Sequence, residues 1–250
     1  MSFHGLPCWY ELAAGDVEKA KAFYGPLLGW TWADSGMPGM TYLLASAGPA
    51  MVAGMMKADA GMPVAWTFYV AVDNADATAK LAADLGARVI VPPTDIPNTG
   101  RFSIMIDPQG AAFAILQPLP GGSGGAFDQQ KMGHGNWHDL SCPDSAAATA
   151  FYGKLFGWTV SRTMQMGPAM TYHTIAAQGQ DIGGIYTEAG STAPVEWRVY
   201  FGIEGVKKAE AAIPGLGGTV VRPPAEVPGG AFILACADPA GARFALVGPA

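Results

Sequence analysis

Cysteine, charged residues and long apolar runs are all scarce in this sequence. Three cysteines are scattered over 250 residues, a pattern typical of reduced, packed thiols rather than of a disulfide framework or a cysteine metal cluster. Charged residues make up only 14% of the chain and hydrophobic residues 50%, which favours a compact fold and excludes a disordered chain. No apolar run reaches the roughly 18 residues needed to span a membrane, so we expect no membrane partner.

Basic patches and targeting signals are also missing. The chain has 20 acidic and 14 basic residues, a net charge of −6, and no clustered Lys/Arg stripe. Phosphate backbones would be repelled, so we expect no nucleic-acid partner. The start, MSFHGLPCWYEL, lacks a basic region followed by an apolar one and does not resemble a secretory signal. We therefore expect a cytoplasmic protein.

What the sequence does contain is an internal repeat. The segment AKAFYGPLLGW at 20–30 returns as ATAFYGKLFGW at 148–158. Trp9 corresponds to Trp137 at a shift of 128 residues, and later matches keep shifts of 130 and 131. Agreement over nearly the whole length predicts a duplicated chain.

Each copy has the same order of predicted elements. In the first copy, a strand around Trp9 precedes a helix that is N-capped by Asp16 and ends at a glycine, and two strands follow. The order then restarts with another strand, which is followed by a second helix and further strands. We predict domains at 1–119 and 132–250, joined by a flexible Gly-rich linker at 120–131.

Three motifs occur in both copies. They are FYGPLLGW and FYGKLFGW, LGARVIVPP and LGGTVVRPP, and DPQGAAFAIL and DPAGARFALV. In this combination they resemble the vicinal oxygen chelate superfamily, which includes glyoxalase I, bleomycin-resistance proteins and extradiol dioxygenases, and in particular its tandem-domain bacterial glyoxalase-like proteins. The resemblance implies an α+β fold with two tandem glyoxalase-like domains. Each domain is expected to pair two βαβββ units into an open cup that binds ligand inside.

The resemblance also identifies where a metal would be bound, because members with metal chemistry hold a divalent ion through His, Gln or Glu on particular strands. Indole and methyl groups cannot donate a lone pair to such an ion, so we predict no metal site of the family type and no cofactor. The corresponding residues here are Trp9, Trp66 or Thr67, and Ala114 in the first copy, and Trp137, Trp197 or Arg198, and Ala245 in the second.

Histidines could in principle form an unusual metal site in the second copy, which holds His134, His138 and His173. On a strand, however, His138 and Asp139 point to opposite faces. If Asp139 faces the cup, His138 is expected to be a satisfied core or surface histidine. His173 follows Tyr172 in a predicted strand, and the pattern assigns it neither to the cup nor to the core.

A carboxylate is expected beside a tryptophan in each cup. Strand alternation places Glu11 on the same face as Trp9, and Asp139 on the same face as Trp137. A carboxylate buried against indole rings has a raised pKa and could act as a general base or anchor a ligand hydroxyl or amine. We therefore predict Glu11 and Asp139 as the candidate catalytic residues. The alternative is a structural carboxylate that pairs with Arg101, Arg198 or Arg243, or with backbone.

Aromatic side chains are the other feature expected around the cup. They would form flat walls suited to an aromatic or planar ligand, although such residues at strand spacing also serve as core. The predicted ligand-binding residues are Trp9, Trp66, Tyr42, Arg101, Trp137, His173, Tyr172, Trp197 and Arg198. Phe23, Phe151, Trp30 and Trp158 are assigned to helix packing, and the DPxG motifs to turns.

The leading hypothesis is a protein that binds a small aromatic or hydrophobic molecule without a metal, as sequestering drug-resistance members do. The alternative is a glyoxalase-like lyase, isomerase or hydroxylase, either metal-free with Glu11 or Asp139 as base or with an atypical metal set around His173. A third hypothesis is a scaffold that works through protein contacts. Because the two halves could pair within one chain, a monomer is as feasible as a homodimer.

Overall fold

The structure is a computed structural model that describes residues 3–37, 39–120 and 125–250. Each half of the sequence contains two successive units of one strand, one helix and three strands, as the repeat and the superfamily resemblance predicted. The elements of the first half are β1 (Pro7–Ala14), α1 (Val17–Leu28), β2 (Thr31–Asp34), β3 (Tyr42–Ala47), β4 (Ala50–Lys57), β5 (Ala65–Ala71), α2 (Ala75–Asp84), β6 (Arg88–Ile96), β7 (Gly100–Ile106) and β8 (Ala112–Pro118).

The second half repeats this order, with a short 3₁₀ turn after its last helix. Its elements are β9 (Gly135–Ser141), α3 (Ser145–Phe156), β10 (Thr159–Gln165), β11 (Met170–Ala177), β12 (Gln180–Glu188), β13 (Glu196–Gly202), α4 (Val206–Ala212), the 3₁₀ turn (Pro214–Leu216), β14 (Thr219–Glu226), β15 (Phe232–Ala237) and β16 (Arg243–Gly248). The resemblance implied three strands after each helix, but the residue patterns did not locate strands β2 and β10, which directly follow the first helix of each half.

Local capping sets the ends of the two long helices, as predicted. The Asp16 side chain accepts a hydrogen bond from the Lys19 amide at 3.1 Å, and Asp144 accepts one from the Ala147 amide at 2.9 Å. Both helices end at a glycine in the left-handed region, where a residue with a Cβ would be strained; for Gly29, φ is 69°.

The described strands belong to two open eight-stranded sheets, one from each half of the sequence, which confirms the predicted α+β class with tandem glyoxalase-like domains. The chain also divides into two compact units, and each unit takes segments from both halves. The predicted domain boundaries describe the duplicated sequence and stay a prediction. One unit comprises Met1–Cys8, Thr67–Gly124 and Trp137–Trp197, and the other comprises Trp9–Trp66, Gly125–Asn136 and Arg198–Ala250.

Within each compact unit the strands form two four-stranded arrays. The first unit holds the orders β5-β8-β7-β6 and β10-β11-β12-β9, and the second holds β2-β3-β4-β1 and β13-β16-β15-β14. The first and last strands of each βαβββ unit pair in parallel, for example β1 with β4 and β9 with β12. Within a βαβββ unit, the third strand pairs antiparallel with the fourth, as β3 does with β4 and β11 does with β12. This order places β4 between β1 and β3, and β12 between β9 and β11.

The FYG aromatics form the core beside the helices, as predicted. Phe23 and Tyr24 are fully buried, and Trp30 is 4% exposed and donates its indole N–H to the Gly133 carbonyl at 2.8 Å. In the other unit, Trp158 donates to the Gly5 carbonyl at 2.6 Å. These indoles therefore fill the core and also satisfy buried carbonyl groups.

The DPxG motifs form turns, as predicted, and they also anchor the FYG tyrosines. Asp107 Oδ1 accepts from the backbone amides of Gln109 and Ala111 at 2.8 and 2.9 Å. The other carboxylate oxygen, Oδ2, accepts from the buried Tyr152 hydroxyl at 2.9 Å. Tyr24 donates in the same way to Asp238 at 3.3 Å. Each tyrosine is thus tied to the DPxG turn of the other sequence half.

Part of the predicted flexible linker is packed. Residues 121–124 lie outside the described residues, but Ala126 is 1% exposed and Phe127 forms a β-bridge with Gly135. The three cysteines are all unbridged, as expected. In the part of the chain that the structure describes, no helix combines the length and apolar character needed to cross a membrane.

Candidate functional site

Strand β1 separates a buried face from a half-buried one. Tyr10 and Leu12 are fully buried, whereas Trp9 and Glu11 are half-buried. The predicted alternation along this strand is therefore confirmed, and it places an indole and a carboxylate side by side outside the core.

A tyrosine from β3 joins them. The Tyr42 hydroxyl donates to Glu11 Oε2 at 2.8 Å and accepts from the Trp9 indole N–H at 3.1 Å. We refer to Trp9, Glu11 and Tyr42 as the first cluster. It brings together three of the residues predicted from the sequence, and its hydrogen bonds run from indole to phenol to carboxylate.

The second half contains the same arrangement, which we refer to as the second cluster: Trp137, Asp139 and Tyr172. Tyr172 donates to Asp139 Oδ1 at 2.6 Å. The Trp137 indole N–H lies 2.8 Å from the Tyr172 hydroxyl and 3.1 Å from the same carboxylate oxygen. A shorter carboxylate therefore forms the same network, although the two copies differ in sequence around it.

Two glycines make the clusters possible, and the sequence reasoning missed them. Gly54 on β4 lies opposite Glu11 in register, between the strands that carry Glu11 and Tyr42. A Cβ on Gly54 would meet the Tyr42 ring well inside the 3.0 Å that real Cβ contacts respect, and a Cβ on Gly184 would meet the Tyr172 ring in the same way. The missing side chain lets each tyrosine cross the middle strand. Gly54 and Gly184 are 130 residues apart, as are the two tyrosines. This shared spacing is the sequence signal that could have identified the glycines.

Electrostatics fixes the role of the phenol. Burial, and then the nearby Glu11 carboxylate, raise the pKa of Tyr42 well above its usual value of about 10. The phenol therefore stays protonated and donates. Such a hydrogen bond stabilises the ionised carboxylate that accepts it, which weakens that carboxylate as a base.

The two clusters differ in the residue opposite the tyrosine on the middle strand. Tyr42 lies opposite Met56, whereas Tyr172 lies opposite Tyr186. The Tyr172 and Tyr186 rings are stacked, with centroids 6.0 Å apart and an interplanar angle of 17°. The second cluster is therefore extended by a second aromatic ring, and the first by a flexible thioether.

Trp66 and Trp197 lie in the core, apart from the clusters. Each is 6% exposed. Trp66 donates to the Tyr24 hydroxyl at 2.9 Å, and Trp197 donates to the Tyr152 hydroxyl at 2.8 Å. The half-buried Thr67 and Arg198, one residue further on, lie on the opposite faces of β5 and β13. The placement of both tryptophans therefore favours a core role, and Thr67 and Arg198 are the half-buried alternatives at the same two positions.

Arg101 is held by other carboxylates. Its guanidinium donates to Asp76 at 2.8 Å and to Asp95 at 2.7 Å, in an exposed ion-pair network on the same compact unit. Exposed ion pairs contribute little to stability. The structure therefore places Arg101 in a surface network with Asp76 and Asp95, both of which lie outside the second cluster of the same unit.

His138 lies in the core, on the other face of its strand from Asp139, as strand alternation predicted. His138 is 1% exposed, stacks on Phe68 with centroids 4.8 Å apart, and lies 2.7 Å from the Ile182 carbonyl through Nδ1. Burial lowers the pKa of His138 to about 4. It is a satisfied core histidine. His173 is half-buried on β11, with Nδ1 3.0 Å from the Thr163 hydroxyl, and His134 Nδ1 lies 2.9 Å from the Gly125 carbonyl.

Sequence comparison agrees with this fold and with the duplication. Residues 8–115 match the glyoxalase/bleomycin resistance protein/dioxygenase superfamily, and residues 137–247 match a glyoxalase-like domain. A Mycobacterium tuberculosis protein named "Putative glyoxylase CFP32" is 32% identical over 252 residues, which cover 98% of this chain and 95% of that protein. The chain belongs to the glyoxalase/bleomycin resistance protein/dioxygenase superfamily.

Two further proteins are similar to this chain, one in sequence and one in fold. The anthracycline biosynthesis protein DnrV of Streptomyces peucetius is 31% identical over 265 residues, covering 97% of this chain and 93% of that protein. The crystal structure of the Mn(II)-bound glyoxalase from Novosphingobium aromaticivorans has a TM-score of 0.65 at 17% identity, covering 99% of this chain and 82% of that one. The structural likeness concerns the fold alone.

The residues at the superfamily's metal positions do not fit a metal. At these positions one compact unit holds Thr67, Ala114 and Trp137, and the other holds Trp9, Arg198 and Ala245. The groups they offer are indoles, methyl groups, one hydroxyl and one guanidinium. Proteins hold divalent ions mainly through carboxylate, imidazole, thiolate or carbonyl groups, and none of these side-chain groups stands at the positions named. Across the described residues, no group of three or more His, Cys, Asp or Glu side chains is arranged to hold a metal ion. We therefore derive no chemistry through a metal.

Proposed function

We propose that this protein binds a small aromatic or hydrophobic molecule at the first and second clusters, and that binding requires no metal. The observation that carries the proposal is that one Trp–Tyr–carboxylate network is built twice, from Glu11 in one half and Asp139 in the other. If the network served packing alone, the change from glutamate in one half to aspartate in the other would not need to preserve its hydrogen bonds. A ligand-binding role supplies a reason for keeping it.

The chemistry of the clusters supports this ligand class. Each cluster offers a half-buried indole and a half-buried phenol ring, which contribute large apolar area and favourable aromatic contacts. Tyr186 and Met56 extend these surfaces. The relative named for anthracycline biosynthesis agrees with an aromatic ligand, since anthracyclines are polycyclic aromatic compounds.

The test is isothermal titration with a panel of aromatic molecules and α-ketoaldehydes. We expect saturable binding of aromatic compounds, and a loss of about tenfold or more in affinity for the double variant Trp9→Leu/Trp137→Leu. The matched control is Trp32→Leu, because Trp32 is also half-buried on a strand but lies outside both clusters. Its affinity should stay within about twofold of the wild type. Equal affinities for the double variant and the wild type would refute the proposal.

Metal independence has its own test. After dialysis against EDTA, the affinity for the same aromatic compounds should be unchanged. Elemental analysis should then show no stoichiometric metal in a protein that still binds. If EDTA abolishes binding and Mn²⁺ or Zn²⁺ restores it, this part of the proposal is wrong.

A second candidate is a metal-free glyoxalase-like lyase or isomerase in which Glu11 or Asp139 removes a proton from the substrate. The name of CFP32 favours a glyoxalase-type activity. The hydrogen bond from Tyr42 or Tyr172 to the carboxylate opposes a role as a strong base, so ligand binding is the better supported function. If α-ketoaldehydes are turned over, Glu11→Gln/Asp139→Asn should abolish turnover while aromatic binding persists. Unchanged turnover would remove both residues from this role.

Two wider predictions accompany this function. We propose a protein that works in the cytoplasm on a small molecule, as a monomer or a homodimer. Sedimentation analysis with and without an aromatic ligand distinguishes the two assemblies, and a larger oligomer would contradict both.

A further inference from the structure

A cavity of about 290 Å³ lies at the carboxyl ends of the parallel strands β9 and β12. It is lined by the end of β9 and the two residues that follow it, by the last two residues of β12, and by most of the loop 189–195. All of these residues belong to one compact unit and differ from the residues of the second cluster. Ligand pockets usually have volumes from about 300 Å³ upward, so this cavity suits a small molecule.

The cavity has a buried hydroxyl group in its wall. Ser141, the last residue of β9, is 9% exposed, and its hydroxyl has no hydrogen-bond partner among the described residues. Of the buried side-chain nitrogen and oxygen atoms in those residues, Trp32 Nε1 alone is both sealed from open space and unpartnered. The Ser141 oxygen therefore still reaches open space, and the cavity that Ser141 lines provides it. A ligand that pairs with this hydroxyl recovers part of the cost of burying it.

The wall also carries a carboxylate. Glu188, the last residue of β12, is half-buried, and in the described part of the chain no Lys, Arg or His side chain pairs with it. Burial raises the pKa of the Cys142 thiol, which also lines the cavity, to about 12, so the thiol stays neutral. Ser191 accepts a hydrogen bond from the Ala193 amide at 3.2 Å, which leaves its own hydrogen as a donor. The described wall therefore combines hydroxyl groups with one acidic side chain.

The first half of the chain lacks these polar groups at the matching places. The shift of 128 residues that relates β1 to β9 makes Ser141 correspond to Ala13, and the shift of 130 that relates β4 to β12 makes Glu188 correspond to Ala58. The same strand pairing thus forms with two alanines. Packing of the fold does not require a hydroxyl or a carboxylate here.

We propose that this cavity is a separate binding site for a small ammonium compound that also carries a hydroxyl group, such as an amino alcohol. The ammonium group makes a charge-assisted hydrogen bond to Glu188, and the ligand hydroxyl pairs with Ser141. Pro143 and Val195 contribute apolar surface to the wall for the carbon skeleton. This site goes beyond the aromatic binding proposed above and does not depend on it.

Three probes with one carbon skeleton test the ligand class: trans-2-aminocyclohexanol, trans-1,2-cyclohexanediol and trans-2-hydroxycyclohexanecarboxylate. Isothermal titration with the full chain at pH 7 measures their affinities under one condition. We expect the amino alcohol to bind about tenfold or more tightly than the diol, because only its ammonium group pairs with a carboxylate. The hydroxy acid should bind more weakly than the diol, since its charge has the same sign as that of Glu188.

Two single variants test the residues. Glu188→Gln should lower the affinity for the amino alcohol about tenfold or more and leave that for the diol within about twofold. Ser141→Ala removes one neutral hydrogen bond and should lower both affinities about two- to tenfold. The matched control is Glu226→Gln, because Glu226 is an exposed glutamate that also ends a strand, β14; its affinities should stay within about twofold of the wild type.

The proposal is overturned if the amino alcohol does not bind, if it binds no more tightly than the diol, or if Glu188→Gln weakens it no more than Glu226→Gln does. It is also overturned if Trp9→Leu/Trp137→Leu abolishes binding of the amino alcohol while Glu188→Gln retains it, since the compound would then bind at the aromatic clusters. The aromatic panel and its tryptophan variants are independent of these measurements, so either proposal can fail while the other stands.

Discussion

Replacing Gly54 by alanine should break the first cluster, because Tyr42 crosses β4 where this glycine has no side chain. The added Cβ would overlap the phenol ring and its hydroxyl, so Tyr42 must leave its position. Gly54 has no positive φ, so the backbone itself tolerates alanine. The perturbation is therefore confined to the tyrosine and to the hydrogen bonds it makes.

The size of the effect follows from the bonds that are lost. The hydrogen bond from Tyr42 to Glu11 involves a charged acceptor, worth about 1.5–3 kcal/mol, and the bond from Trp9 adds about 1 kcal/mol. Water can replace part of both, since the cluster is half-buried. Alanine also stabilises by about 0.4–1 kcal/mol through the unfolded chain. We expect Gly54→Ala to lower the free energy of unfolding by about 1–3 kcal/mol.

Urea denaturation followed by tryptophan fluorescence measures this free energy. Gly215→Ala is the matched control, because its new Cβ meets nothing within 4 Å and its φ is not positive; it reports the unfolded-state contribution alone. In the Tyr42→Ala background the overlap no longer exists, so Gly54→Ala should cost nothing further. If Gly54→Ala destabilises equally with and without Tyr42, the glycine acts through something other than the tyrosine, and the reasoning is refuted.

Three further predictions concern the core. Tyr152→Phe removes the acceptor of the Trp197 N–H and the donor to Asp107, and should lower the free energy of unfolding by about 1–3 kcal/mol in urea titrations. His138 has its pKa lowered from 6.5 to about 4 in the folded protein, so stability should be constant above pH 6.5 and fall by about 3 kcal/mol as the pH decreases to 4; His138→Asn should flatten that decline. Cys236 is 1% exposed and burial raises its pKa to about 12, so Ellman's reagent should modify it only after unfolding.

Each of these has an outcome that contradicts it. A stability for Tyr152→Phe within about 0.5 kcal/mol of the wild type would mean that the buried tyrosine network contributes nothing net. An equally steep decline in His138→Asn would assign the pH dependence to other groups, such as the buried His134, whose pKa burial also lowers. Fast modification of Cys236 in the native protein would show that its thiol is accessible.

The sequence was sufficient for features that depend on neighbouring residues. The Asp16 cap and the Gly29 stop each involve groups within four residues along the chain, so their residue types predict them directly. Alternation along one strand predicted that Trp9 and Glu11 share a face and that His138 lies on the other face from Asp139. These rules need no knowledge of which strands are neighbours.

Strand register and long-range contacts were less accessible. A shift of one residue moves a side chain to the other face of a strand, so the position of Trp66 could not be fixed without the pairing of β5. The same limitation concealed Gly54, whose importance depends on β4 lying between β1 and β3. Strand order is set by packing over tens of residues, which no local pattern records.

The sequence by itself therefore determined the duplication, the order of the elements, the helix ends and the superfamily, because each depends on motifs or on short-range geometry. Only the tertiary structure decided which aromatic residues are core and which lie in the clusters. It also decided that the tyrosine of each FYG motif is tied to the DPxG aspartate of the other half, as Tyr152 is to Asp107. Such contacts join residues far apart in the chain, and they form only when packing brings buried polar groups to the partners that burial requires.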